Sequence, residues 1–510
     1  MKINILKTRE EVITKCNIVV PVFQDEIENE KYLTRVSSLL TPSKKKLLAH
    51  SVKKWKFKGK KGELNFLDYE DNKGNLKSIL LFGLGEKNSF KLLGFKRTIA
   101  SLFRNLLSKG VKSYTLYIPW TTKSWKLDTM LTKVYLGTAL AEYNFDKYKT
   151  NDDKKEMNKV NLYIEKLYEK FSDKEVEKIV EDAKITLKAV NNSRDLLNET
   201  PMNMYPEVLK NHVVELFKGR KNVSIEVIDF DEMRKKGMNL LAAVGMGSTN
   251  KPYMVRVTYK TEKKDAKTLA IVGKGITYDS GGYSLKPSAS MAGMHMDMGG
   301  ATMMIGTMDI ITNSVLDFNV EMYLVIAENM ISGDAYKNSD IIMGYGKKSV
   351  EILNTDAEGR LALADGIAYA SENGANTIID AATLTGACLV ALGEEIAAVI
   401  TKDEDLARRF RDSYEKTEEK FWPLPFEEKY LEDLKSEVAD LRNIGKTRWG
   451  GTITAGLFLS EFVGEGINYM HLDIAGPAML SKAVDFYNAG GSGFGVQALT
   501  HFIKSGNLFK

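Results

Sequence analysis

KTLAIVG, residues 267–273, runs directly into KGITYDSGGYSLKP, residues 274–287. The first stretch is an apolar run of strand length. Polar residues then come where a strand should end: Lys274, Asp279, the Ser280-Gly281-Gly282 triplet and Lys286, with Asp297 a little further on. Ligands of parallel α/β sheets gather beyond the carboxyl ends of the strands, and glycines there let the backbone approach a ligand closely. The pattern therefore reads as a buried strand that delivers charged side chains to one end of a sheet.

Working outward, the second part of the chain offers more strands of the same kind: VSIEVI (223–228), YMVRVTY (253–259), VEMYLVIAE (320–328), TIIDAATL (377–384) and NYMHLDIAG (468–476). Several are apolar throughout, as strands covered on both faces by helices are. Toward the amino terminus, NIVVPVF (core at 18–23), SILLFGLG (78–85), SYTLYIP (113–119) and VNLYIE (160–165) read as strands, and the stretches near 89–109 and 128–146 as helices. Such alternation is the mark of an α/β domain. Between the two regions, Ser172 with Glu175 resembles a capping box. Val176, Ile179, Val180, Ala183, Leu187 and Val190 then recur at helical spacing. The expectation is an α/β protein: a smaller N-terminal α/β domain, 1–172, joined by a helix to a larger C-terminal α/β domain, 173–510, with a mixed, mostly parallel central sheet.

The 510 residues carry a net charge of +5, 44% hydrophobic and 27% charged residues, the balance of a soluble globular protein. Two distant cysteines, Cys16 and Cys388, make neither a disulfide framework nor a cysteine zinc site, and fit a reducing compartment. The amino terminus is charged at Lys7, Arg9, Glu10 and Glu11 before an apolar core can form, so no signal peptide is expected. The apolar stretch GACLVALGEEIAAVI is broken by Glu394 and Glu395, and no segment is long enough for a bilayer. The expected location is cytoplasmic, with no membrane partner. Lysines crowd one region of the first domain: Lys44, Lys45, Lys46, Lys53, Lys54, Lys58, Lys60 and Lys61. They read as a solvated face or as a basic patch for nucleic acid, the latter without an interleaved aromatic pattern.

A second unusual stretch is NTDAEGR, residues 354–360. Together with the first it supplies four carboxylates, Asp279, Asp297, Asp356 and Glu358. Converging in a low-dielectric cleft, these would repel one another by several kcal/mol. Lys274, Lys286 and Arg360 would offset part of that, and a pair of divalent cations more. There is no H-E-x-x-H, and the five histidines are scattered. An oxygen-rich set suits Mn²⁺, Mg²⁺ or Zn²⁺, and two-metal sites commonly serve hydrolysis. Spacing alone leaves a solvated turn with a local salt bridge as the alternative.

At these residues the sequence resembles the leucine aminopeptidase (cytosol aminopeptidase) family. NTDAEGR is that family's signature heptapeptide, and GKGITYDSGGYSLKP matches its other core motif. ENMISGDAY (328–336), WPLPFEEKY (422–430), ADLRNIG (439–445), GGTITAGLFLSEFV (450–463), HLDIAGPA (471–478) and GFGVQAL (493–499) extend the likeness over the second domain. The resemblance implies a C-terminal catalytic peptidase domain and residue roles by motif position. Lys274, Asp279, Asp297 and Glu358 would hold a tighter metal, and Asp279, Asp356 and Glu358 a more exchangeable one. Mn²⁺ and Zn²⁺ are the implied ions, with Mg²⁺ or Co²⁺ as substitutes. Lys274 would ligate as the neutral amine, its pKa depressed by the metal. Lys286 would stay charged and stabilise the oxyanion. Arg360 would bind the bicarbonate that the family uses as proton shuttle.

The implied reaction removes the N-terminal residue from peptides. The free amino group binds one metal, the carbonyl is polarised, a metal-bridging water attacks, and the leaving amine is protonated through bicarbonate. Met294, Thr383, Gly386, Ala475 and Ala478 fall at positions that line the family's pocket for the first side chain, favouring Leu, Met and other apolar residues. The family assembles as a homohexamer. Two departures stand out: His295, where relatives carry Lys or Arg, and Ile331, where they carry proline. His295 is expected to neighbour the site without ligating, and the methionines of 291–308 other than Met294 to pack the core. The competing readings are a two-metal phosphohydrolase and a DNA-binding or regulatory role beside peptidase activity.

Overall fold

The computed structural model describes residues 1–71, 74–119, 126–150 and 156–509. Two compact units make up the chain: Met1–Leu187 with Ala483–Asn488, and Lys188–Lys482 with Ala489–Lys510.

The first unit is built on a six-stranded sheet of β1 (Lys2–Ile5), β2 (Asn17–Val22), β3 (Leu64–Glu70), β4 (Leu76–Gly83), β5 (Ser113–Ile118) and β6 (Lys159–Ile164), in the order β1-β6-β5-β2-β4-β3. All pairings are parallel except β3 with β4. The central strands are buried almost throughout, which is why their sequences are continuously apolar. β1 and β3, the two edges, were not evident in the sequence: β1 is four residues long, and β3 is half solvated with interspersed polar residues. Helices Phe95–Ser108 and Leu127–Glu142 pack their apolar residues into the unit; the first lies within the range expected, and the second starts one residue before its expected range. In the lysine-rich region Lys46, Lys53, Lys54, Lys58, Lys60 and Lys61 are exposed, and Lys44 and Lys45 are half-buried.

Helix Asp173–Asn198 starts where Ser172 and Glu175 cap each other: the Ser172 amide donates to Glu175 Oε2 at 2.8 Å, and the Glu175 amide to Ser172 Oγ at 3.4 Å. The compact units part inside this helix rather than at residue 172. Its first half belongs with the first unit, where Asp173 pairs with Lys7 at 2.5 Å.

The second unit carries an eight-stranded sheet. Its strands are β7 (Val223–Ile228), β8 (Tyr253–Tyr259), β9 (Thr268–Asp279) and β10 (Asn319–Asn329). Two short strands, β11 (Ile341–Met343) and β12 (Ser349–Glu351), lie in a separate small sheet. The large sheet continues with β13 (Thr377–Ala382), β14 (Ile396–Ile400) and β15 (Lys420–Pro423). After β16 (Leu441–Arg442), which joins the small sheet, comes β17 (Asn468–Asp473). The large sheet's order is β15-β14-β17-β13-β9-β10-β8-β7, with β9 at the centre, parallel to both β10 and β13. The antiparallel pairs lie toward the edges, so the sheet is mixed and mostly parallel.

The sequence suggested that the central strand ends at Gly273, but β9 continues six residues further, to Asp279. Pairing with β10 persists through Lys274 opposite Val325 and, past an irregularity at Ala327/Glu328, to Asp279 opposite Asn329. Lys274 is thus a buried mid-strand lysine. Helices cover both faces of β9. Val272 packs with Leu361 and Ala362 of helix Glu358–Glu372 in the main core. On the other face helix Gly299–Ile311 comes so close that a Cβ on Gly273 of β9 would lie 2.8 Å from Ala301 Cα, and one on Gly300 would lie 1.9 Å from the Ala381 carbonyl oxygen of β13. Met298 and, on the helix itself, Met303, Met304 and Met308 are buried as expected of core packing, whereas Met291 and Met296 are only half-buried. No helix among the described residues is long and apolar enough to cross a membrane.

Candidate active site

Three chain segments meet beyond the carboxyl end of the central strands. Asp279 closes β9. Asp297 sits on a 3-10 turn, Met294–Met298, that leads into helix Gly299–Ile311. Asp356 lies in the loop before helix Glu358–Glu372, of which Glu358 is the first residue. A carboxylate at a helix N-terminus is favoured by the dipole and by free amide donors. Carboxylate oxygens of Asp279, Asp356 and Glu358 all lie within 4.8 Å of one another.

Two lysines thread this cluster. Lys274 Nζ is 2.7 Å from Asp297 Oδ2 and 2.9 Å from Glu358 Oε1, and it donates to the Thr383 carbonyl at 3.1 Å. Lys286 Nζ is 2.9 Å from Asp279 Oδ2 and 2.5 Å from Asp356 Oδ1. The four expected carboxylates are therefore brought together, Asp297 joined to the other three through Lys274. Helix Glu358–Glu372 makes room at its second residue: a Cβ on Gly359 would collide with the Lys274 side chain.

The electrostatics are those of an over-filled acidic pocket. Burial pushes the carboxyls of Asp279, Asp297 and Asp356 up. The neighbouring carboxylates push the same way, and Lys274 and Lys286 pull back. Both lysines are penalised by burial, yet the carboxylates around them win and raise their pKa. The depressed Lys274 expected from the sequence presupposed metal; with the carboxylates alone around it the shift is upward. Two ammonium groups neutralise only half of four carboxylates, and Glu358 Oε2 is buried without a hydrogen-bond partner. A carboxylate-rich donor set with surplus negative charge and an orphaned carboxylate oxygen fits hard or borderline divalent cations.

Arg360 is the third residue of the same helix, in its first turn, and is buried. Its Nη1 donates to the Asn443 carbonyl at 2.8 Å, whereas Nε has no hydrogen-bond partner. Burial lowers its pKa to about 10. Of the pocket residues, Thr383 is tied directly to the cluster, its hydroxyl donating to Asp297 Oδ1 at 2.8 Å. Ala478 is brought near Thr383: both flank Gly299. Met294 opens the turn that bears Asp297, Ala475 follows β17, and Gly386 is exposed at the start of helix Gly386–Leu392. Among the described residues no hydrogen bond joins these last three to the carboxylates. His295 is half-buried, and burial lowers its pKa.

Sequence reasoning missed three supporting residues. Asn329 donates to Asp279 Oδ1 at 2.8 Å and to the Thr355 carbonyl at 3.1 Å. Tyr336 donates to the same carbonyl at 2.8 Å. Asn443 accepts from the Leu353 amide at 2.8 Å and donates to the Asn354 carbonyl at 2.6 Å. All three fall inside stretches that carried the family likeness, but nothing in their spacing gave them a role.

A mixed α/β sheet with an acidic cluster at its strand ends is one frame on which metal-assisted hydrolysis can be built. Comparison with known proteins makes the class specific. The catalytic domain of the cytosol aminopeptidase family matches residues 191–500, and that family's N-terminal domain matches residues 19–152. The chain belongs to the cytosol aminopeptidase family and is a peptidase. It is 38% identical over 491 residues to the protein named "Probable cytosol aminopeptidase" of Clostridium perfringens, covering 94% of this chain and 95% of that one. A protein of the same name from Alkaliphilus oremlandii is 36% identical over 505 residues, 99% of each chain. Among solved structures, a mutant of tomato leucine aminopeptidase superposes with a TM-score of 0.83 at 27% identity, covering 99% of this chain and 96% of that one. The bottromycin maturation enzyme BotP in complex with Mn gives 0.81 at 27% identity, covering 96% and 99%.

Proposed function

We propose that this peptidase is a di-metal aminopeptidase that removes apolar N-terminal residues, Leu and Met foremost, from peptides. The observation that carries the reading is the convergence of Asp279, Asp356 and Glu358 within 4.8 Å, with Lys274 and Asp297 beside them. These five residues would hold two divalent ions, Mn²⁺ or Zn²⁺, with Mg²⁺ or Co²⁺ as substitutes; the similar BotP structure is a complex with Mn. When bound, such ions supply Lewis-acid polarisation of a carbonyl and an acidified water.

The chain's own residues supply the rest. Lys286, now paired with Asp279 and Asp356, would present its positive charge beside the cluster, where an oxyanion would form. Lys274 ties Asp297 and Glu358 into one unit. Arg360, with a buried and unpartnered Nε, would hold bicarbonate, which supplies a proton carrier. Thr383 and Ala478, with Met294, Gly386 and Ala475, would form the wall against the first side chain; small groups and a pliable thioether favour apolar occupants. The reading also includes a cytoplasmic location, which the relatives' names suggest, and a homohexamer, which would cover exposed apolar side chains such as Val390 and Trp449.

The test is hydrolysis of leucine p-nitroanilide by metal-stripped protein, with and without added Mn²⁺, beside a generic phosphate ester. Mn²⁺-dependent release of nitroaniline is expected. Turnover of the phosphate ester alone, or full peptidase activity in a chelator, would refute the reading.

A further inference from the structure

We propose that Asn329 is a positioning residue that locks the strand-borne and helix-borne halves of the carboxylate cluster into one geometry. This rests on the di-metal reading above. The cluster comes from separate parts of the chain: Asp279 at the end of β9, and Asp356 and Glu358 at the start of a helix. Their relative placement has to be imposed, because mutual repulsion drives them apart.

Asn329 is the last residue of β10, directly opposite Asp279 in the parallel register, and it is fully buried. Its Nδ2 spends one hydrogen on Asp279 Oδ1 at 2.8 Å and the other on the Thr355 carbonyl at 3.1 Å. Both partners are pure acceptors, so the orientation of the amide is dictated by them. Asp279 Oδ1 also accepts from the Gly281 amide at 2.9 Å, which occupies that oxygen and leaves Oδ2 turned toward Lys286. The anchored Thr355 carbonyl directly precedes Asp356. The Gly281 amide and the Tyr336 hydroxyl each hold one of these acceptors; Asn329 holds both, and so ties the oxygen of Asp279 to the start of the Asp356–Glu358 segment.

Lys286 bridges the same two halves, but cations would compete with it for those oxygens. Asn329 holds Asp279 Oδ1, the oxygen opposite the one paired with Lys286, so cations that displace Lys286 from Oδ2 would not have to break its bonds. It also adds no charge to a pocket already crowded with carboxylates. Tyr336 provides a control within the molecule: it donates to the Thr355 carbonyl without touching Asp279.

The experiment is calorimetric titration of metal-stripped, full-length protein with Mn²⁺, alongside melting of the metal-free protein. Asn329→Leu, similar in volume and without donors, is expected to weaken the weaker of the two Mn²⁺ sites by about tenfold or more. Its metal-free melting temperature should stay close to the parent's, and excess Mn²⁺ should restore turnover. Tyr336→Phe should weaken the same site less than about threefold, since one donor to Thr355 remains. If Asn329→Leu does not fold, Asn329→Ser is measured in its place. Mn²⁺ affinities within about twofold of the parent in a folded variant would overturn the inference, as would an equal loss in Tyr336→Phe. In both cases a parent that binds two ions leaves the di-metal reading standing. A parent that takes up no Mn²⁺ overturns both.

Discussion

A Cβ on Gly359 would lie 2.4 Å from Lys274 Cε and 2.6 Å from its Nζ. The helix that begins with Glu358 can approach the buried lysine only because its second residue has no side chain. Gly359→Ala is therefore expected to push the ammonium group off Asp297 and Glu358, lowering turnover by about 100-fold while the fold persists. Activity assays beside circular dichroism check this. A variant with parental turnover would mean that the placement of Lys274 does not matter.

Lys286 lies between the Asp279 and Asp356 carboxylates, and in the proposed reaction its charge would stabilise the oxyanion. Lys286→Ala should lower kcat by about 100-fold or more, in the range seen when an oxyanion donor is removed. Bound metal after dialysis should change little. A collapse of metal content would instead make Lys286 part of the binding scaffold.

Asp297 accepts from both Lys274 and Thr383. Replacing it with alanine removes a proposed ligand and leaves the buried ammonium with Glu358 as its remaining ion-pair partner. Elemental analysis of dialysed Asp297→Ala should show the tighter site depleted. Unchanged occupancy would take Asp297 off the ligand set.

A buried pair away from the carboxylates sets a pH dependence. His471 Nδ1 is 2.6 Å from Asp380 Oδ1, whose second oxygen accepts from the Tyr469 hydroxyl at 2.7 Å. Burial alone would lower the His471 pKa, but Asp380 outweighs it and the net shift is upward from 6.5. The folded state then holds this proton more tightly than the unfolded chain. Its stabilisation is complete below the unfolded pKa and is lost as pH rises through the folded one. The melting temperature should fall as pH rises above neutrality, and His471→Asn should flatten that slope. An unchanged slope would show that His471 is neutral throughout.

Much of the architecture was legible because burial writes itself into composition. β7 and β8 match their sequence-read ranges residue for residue, and Ser172 with Glu175 announced its helix. The four carboxylates stood out as acidic residues beside glycines, but spacing alone left a solvated turn with a salt bridge as the alternative, and their roles came from the resemblance to the family. The extension of β9 through Lys274 was not legible, since a lysine ends a strand on any local reading, and only Asp297 and Glu358 from elsewhere in the chain make it tolerable. The edge strand β3 hid behind its half-solvated pattern. Asn329 and Asn443 could not be found either, because their roles lie in hydrogen bonds to residues distant in sequence.

The most direct test is anomalous diffraction from crystals of the protein grown with Mn²⁺. The di-metal cage predicts two peaks among the Asp279, Asp297, Asp356 and Glu358 carboxylates, with Lys286 drawn back from the oxygens it now occupies. Absence of density there, with Lys286 still bridging Asp279 and Asp356, would contradict it.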